Sequence, residues 1–169
     1  MENKYEHIKF IIQRFDHYYD TVNSKGAFYI GLNTFIFGGL CAGYISLHKE
    51  LAVGWLIWTL LGILMTSSIA CTIFTIRAIK PYRKDNQGNI NSPSLMFFEG
   101  IAKHEFSFLK EKMDQQTPER ITEDALCQMH SLARGLSDKF RNLSIASNLL
   151  WAQFVVMVPL FLLIIKNLN

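Results

Sequence analysis

The sequence predicts an all-α membrane protein: three transmembrane helices carrying a small cytoplasmic helical head. Three observations lead there. Only 18% of the 169 residues are charged, against about 25% in ordinary soluble domains. The deficit is concentrated in three runs without Lys, Arg, Asp, Glu or His, at 26–47, 51–76 and 142–165. Each run is long enough for a bilayer core of ~30 Å, which takes about 20 apolar residues. A globular chain of this size has too little remaining sequence to wrap three such helices. No alternating strand pattern competes with the helical one.

The elements follow in order. Residues 5–22 place Ile8, Ile11, Ile12, Phe15, Tyr18, Tyr19 and Val22 on one helical face. The opposite face mixes Glu2, Glu6, Asp16 and Asp20 with the bases, so this helix is expected to pack on the head instead of lying on lipid. It runs into the first span, 27–47, with Gly26 as the only candidate hinge. The second span is expected at 52–76. "RAIKPYRKDNQGNINSPS" (77–94), with its prolines, glycine and Asn/Asp residues, reads as the one real loop. Ser92 and Pro93 read as N-cap and first residue of a helix reaching about 115, with Leu95, Phe98, Ile101, Ala102, Leu109 and Met113 on one side. Thr117 and Pro118 repeat that signal. From there Ile121, Ala125, Met129, Leu132, Leu136, Phe140 and Leu143 keep helical spacing into the third span, 146–165. One unbroken helix from 119 to 165 would extend about 40 Å beyond the bilayer at ~1.5 Å per residue.

This gives four regions: a cytoplasmic amphipathic helix (1–25), a two-span hairpin (26–77), a cytoplasmic helical region (78–145) and the third span (146–169). Of 17 Lys and Arg residues, all but Lys49 and Lys166 fall on one side, which is therefore the cytoplasmic side. The net charge of +3 is accounted for by this retention and needs no nucleic acid polymer as partner. The charged first 25 residues do not read as a secretory signal peptide, so the first span is expected to serve as the targeting signal. Cys41 and Cys71 lie in spans and Cys127 on the reducing side, so no disulfide is expected.

Catalytic and metal signatures are missing from the sequence. The five histidines form no HExxH, and there is no P-loop, GxSxG or dinucleotide-binding turn. No enzyme activity, metal or cofactor is expected. The spans carry more information. Gly39 and Gly43 form a GxxxG, a pattern that lets two helices approach closely, and point to a homo-oligomer. Asn33, Thr66, Ser67, Ser68, Asn148 and Gln153 are polar groups at membrane depth. They either bond neighbouring helices or line a polar seam, for which Asn33, Gly39, Gly43 and Ser67 are the candidate packing or pore residues.

Three stretches, "RFDHYYDTVNSKGAFYIGLN" (14–33), "SPSLMFFEGIA" (92–102) and "LCQMHSLARGLSDKFRNLSIA" (126–146), resemble the transmembrane effectors of Pycsar antiphage systems. The shared elements are Asn23 and Lys25 before span one, Asn33 within it, the Ser94-Leu95-x-Phe97-Phe98 helix start, and His130, Lys139 and Phe140 on the last helix. The resemblance implies a function in bacterial defence. A neighbouring pyrimidine cyclase would make cyclic CMP or cyclic UMP, and the effector would respond by impairing the inner membrane, ending phage replication at the cost of the cell.

Such a ligand offers one anionic phosphate and a flat base. A cation, a stacking surface and a polar group for the base edge are therefore required. Arg14, Lys25, Arg134 and Lys139 are candidates for the first role, Phe97 and Phe98 for the second, and Asn23, Ser94 and His130 for the third. The alternative function is a non-enzymatic membrane scaffold or adaptor whose helical head binds a partner protein. A nucleotide cyclase encoded beside it would separate the two.

Overall fold

The computed structural model describes residues 2–47, 54–81, 95, 101–102 and 104–168. Four helices make up almost all of it, and no strand occurs among the described residues: α1 (Glu2–Leu47), α2 (Trp55–Ile79), α3 (Phe106–Asp114) and α4 (Pro118–Leu168). α1, α2 and α4 are each long and apolar enough to cross a membrane. Two compact units result, one of residues 1–20 and 81–137, the other of 21–80 and 138–169.

Local chemistry explains where these helices begin and why they continue. α4 starts at Pro118, whose missing N–H is no loss at a first helical position, and the Thr117 Oγ1 accepts the Arg120 N–H at 3.4 Å. Its continuity through 51 residues follows from the absence of an early breaker. Pro159 alone interrupts the hydrogen-bond ladder, a loss that spans tolerate when neighbouring groups compensate. α1 likewise passes through Gly26 without a break. A Cβ there would meet the Ile79 side chain at 3.5 Å, an ordinary contact.

The first unit departs from expectation in its middle. A single helix from 93 to 115 does not form. Ile101 and Ala102 are helical, but His104 is in a bend and Glu105 is extended, acting as the N-cap of α3 without a side-chain bond. Met113, expected on the apolar side, is 61% exposed, and Ile101 is also exposed. The new start re-phases the helical faces, and the His104 ring lies 4.5 Å from the Phe108 ring across the turn. The Ser92–Pro93 cap lies outside the described residues. Elsewhere in this unit the Tyr19 hydroxyl donates to the Leu132 carbonyl at 3.0 Å, and the Asp124 carboxylate accepts the Leu95 N–H at 3.1 Å.

In the second unit three helices share one core. The buried positions step by three, four or seven along each: 22, 26, 33, 36 and 40 on α1; 57, 64, 68, 71, 75 and 78 on α2; 139, 143, 146, 150, 153 and 160 on α4. This spacing is that of helices crossing at a shallow angle with side chains interdigitated. The outward faces carry Phe28, Phe35, Trp55, Ile63, Ile69, Trp151, Phe154 and Phe161. Large apolar groups outside and Asn33, Ser68, Thr75, Lys139 and Gln153 inside invert the arrangement of a water-soluble bundle. Lipid is as apolar as leucine, so packing and hydrogen bonds hold such spans together, with little hydrophobic driving force between them.

Phe140 corrects one detail of the sequence reading. It was expected on the apolar face of α4, but it is 39% exposed and Lys139 is buried in its place. Either residue fits between Leu136 and Leu143 at helical spacing. The carbonyl oxygens at the end of α2 select the lysine.

Candidate functional site

The polar groups of the spans form two hydrogen-bonded sets at different levels of the second unit. Asn33, 2% exposed, makes the larger one. Its Nδ2 donates to the Ser68 carbonyl at 2.8 Å and to the Thr72 Oγ1 at 2.8 Å, while its Oδ1 accepts the Ser68 hydroxyl at 3.0 Å. Ser68 and Thr72 stand one turn apart on α2, so one amide clips two successive turns. The sequence identified Asn33 and Ser68 as polar groups at depth; Thr72 escaped notice because a threonine in a span usually bonds its own helix. Deeper along α4, Gln153 lies beside Ser67, Nε2 to Oγ 3.5 Å, and its Oε1 has no partner. Asn148, by contrast, faces outward.

At one end of this unit lies the electrostatic feature that sequence reasoning missed. Lys139 is 5% exposed, and its ammonium donates to the Ala78 carbonyl at 2.7 Å and the Ile79 carbonyl at 3.1 Å. These are among the last carbonyls of α2, which lack partners within their own helix and carry the negative end of its dipole. Burial pushes the Lys139 pKa below the ordinary lysine value. This lysine therefore ties α4 to the end of α2.

At the other end, Gly39 and Gly43 line an apolar groove of about 310 Å³ with Phe35, Tyr44, Trp58 and Phe161. A Cβ at either glycine would meet nothing within 4 Å. The GxxxG face is thus left open within the chain. Tyr44 and Trp58 pack edge to face at 5.3 Å beside it.

The candidate ligand residues divide between the units. Arg14, His130 and Arg134 belong to the first unit and are exposed. The Arg14 guanidinium donates to the Tyr18 hydroxyl at 3.0 Å and lies 6.0 Å from the centre of the Phe10 ring. Asn23, Lys25 and Lys139 belong to the second unit, with Asn23 and Lys25 exposed. Ser94, Phe97 and Phe98 lie outside the described residues. Among the described residues no three His, Cys, Asp or Glu side chains stand together as a metal would need.

Comparison with known families adds the decisive observation. The family model of the Pycsar effector protein domain (PycTM) matches residues 7–166, nearly the whole chain. The chain belongs to the Pycsar effector family. The matched range takes in all three candidate spans almost in full. No curated protein and no solved structure matches this Pycsar effector.

Proposed function

We propose that the chain is the membrane-acting component of a bacterial Pycsar-type antiphage system. In this reading a cyclic pyrimidine mononucleotide, cyclic UMP or cyclic CMP, binds the helical head. The spans then impair the inner membrane, and the infected cell stops supporting phage. The protein carries out no chemistry of its own. The observation that carries this reading is the family match over 7–166, a range that takes in the head residues and the polar-cored spans together.

Two features of the fold support a route from ligand to membrane. α1 and α4 each contribute residues to both units without a break in the helix. A ligand can shift a packing equilibrium only by its differential affinity for the two states. A preference of about 3 kcal/mol changes the state ratio by roughly 150-fold. Arg14 and Arg134, exposed cations of the first unit, are the groups proposed to meet the phosphate. Assembly into a homo-oligomer through the open Gly39–Gly43 face is part of the same reading.

The basic residues support an N-terminus and a 78–145 segment in the cytosol. Reporter fusions at Lys49 and Gln87 are expected to fall in opposite compartments. Calorimetric titration of the full-length protein in detergent with cyclic UMP and cyclic CMP tests the sensing step. Saturable binding of one of them is expected. A folded, inserted protein that binds neither would favour the membrane scaffold.

A further inference from the structure

Gln153 is the one buried side chain of the described residues with an unpartnered polar atom. It is 1% exposed, on the inner stripe of α4 between Leu150 and Leu160, in the middle of a span. The Nε2 end of the amide lies 3.5 Å from the Ser67 hydroxyl, while the Oε1 end accepts no hydrogen bond. A lipid-facing position would not satisfy the group either, since hydrocarbon offers no hydrogen bond. Asn33 shows the contrast: the same kind of group, equally buried, with both ends bonded.

We propose that Gln153, with the Ser67 hydroxyl beside it, is where water enters the bundle when the effector opens the membrane. The proposal rests on the membrane-damaging reading above. In the closed bundle the amide forgoes a hydrogen bond; in any state that admits water the bond is regained. Hydration at this level therefore favours the open arrangement, whereas an apolar residue of the same shape would favour the closed one. A single buried unmade bond biases such an equilibrium by roughly 5- to 150-fold. Its position gives the group a second qualification. Ser67 and Gln153 face each other across α2 and α4, so separating these two helices wets both.

Two variants with opposite expected signs test this. Gln153→Met keeps the length of the side chain and removes the amide. Ser67→Ala removes the one hydrogen-bond partner of the amide among the described residues. Full-length proteins are reconstituted into phosphatidylethanolamine–phosphatidylglycerol vesicles holding a self-quenched dye, and cyclic UMP or cyclic CMP is added. Thermal unfolding of each protein is followed in detergent. Gln153→Met is expected to unfold at a higher temperature than the wild type and to release dye 5- to 150-fold more slowly. Ser67→Ala is expected to unfold earlier and release dye faster. Equal release by the wild type and Gln153→Met, or a lower unfolding temperature for that variant, overturns the role of Gln153 while leaving the membrane-damaging reading standing. A wild type that releases no dye with either nucleotide overturns the membrane-damaging reading and the hydration step with it.

Discussion

Replacing Lys139 by methionine removes a charge from the junction of α2 and α4 while keeping an unbranched side chain of similar length. In the wild type the bonds of the ammonium include one of 2.7 Å to the Ala78 carbonyl and one of 3.1 Å to the Ile79 carbonyl. A hydrogen bond to a charged group contributes about 1.5–3 kcal/mol, and a cation at a helix C-terminus adds about 0.3–1 kcal/mol. Against this stands the cost of burying the ammonium, the cause of its lowered pKa. The two carbonyls also lose their partner, and only water reaching the helix end can replace it. Because the lowered pKa means that burial offsets the gain from the charge, the expected loss for Lys139→Met is that of leaving the carbonyls unpartnered, about 1–3 kcal/mol, measured as unfolding free energy in mixed detergent–lipid titrations.

The same lysine sets a pH dependence. Its folded-state pKa is depressed, so between that value and the ordinary value of 10.5 the unfolded chain holds the proton that the folded chain has released. Stability then rises with pH through this window and levels off above it. Below the window both states are charged and the slope vanishes. Lys139→Met should remove the rise. A variant as stable as the wild type, with the same slope, would refute the assignment of Lys139 as the tie between α2 and α4.

Asn33→Leu breaks three bonds to Ser68 and Thr72 and is expected to cost about 1–3 kcal/mol, since polar pairs in membranes contribute about 0.6 kcal/mol each on average and up to about 1.7; the same titration checks it. Gly26→Ala should stabilise the protein by up to about 1 kcal/mol in that assay, because helix propensity improves and the added Cβ meets Ile79 at an ordinary distance. The paired change Gly39→Ile and Gly43→Ile should reduce the oligomer mass seen by light scattering while leaving the single chain folded, because open space lies beside both glycines within the chain. Arg14→Gln and Arg134→Gln should each weaken the calorimetric response to the nucleotide about tenfold or more, the scale of one charge-assisted bond, with insertion into membranes unchanged.

What could be read from the sequence was local chemistry and period. The start of α4 was legible because Thr117 and Pro118 cap a helix by their own geometry. Its continuity was legible because nothing before Pro159 stops it. The three spans were legible from the runs without charge. What escaped depended on partners distant in sequence. Lys139 and Phe140 fit the helical period equally well between Leu136 and Leu143, and the choice was made by carbonyls at the far end of α2. The break before α3 has no signature in "IAKHEF", whose residues all tolerate a helix.

The candidate site was legible to the same degree. Polar residues at membrane depth stand out in any apolar run, so Asn33 and Ser67 were visible. Their pairing with Thr72 and Gln153 is a property of how α1, α2 and α4 face one another, which no single helix encodes. The GxxxG pattern marks Gly39 and Gly43 in the sequence, but the groove they line with α2 and α4 is likewise a property of the packed helices. The head residues offer less, because a binding site assembled from several helices has no contiguous motif. Arg14 and Arg134 stand out in the sequence by their charge alone.

In the proposed function a cyclic pyrimidine nucleotide turns this membrane protein into a membrane-damaging one. Dye release from vesicles carrying the wild-type protein, before and after addition of cyclic UMP or cyclic CMP, tests it most directly. Tight vesicles that begin to leak on addition of one of the two nucleotides, with a saturable dose dependence and no response to cyclic AMP, are the predicted result. Vesicles that stay sealed at every nucleotide concentration, with the protein shown to be inserted and folded, would contradict it.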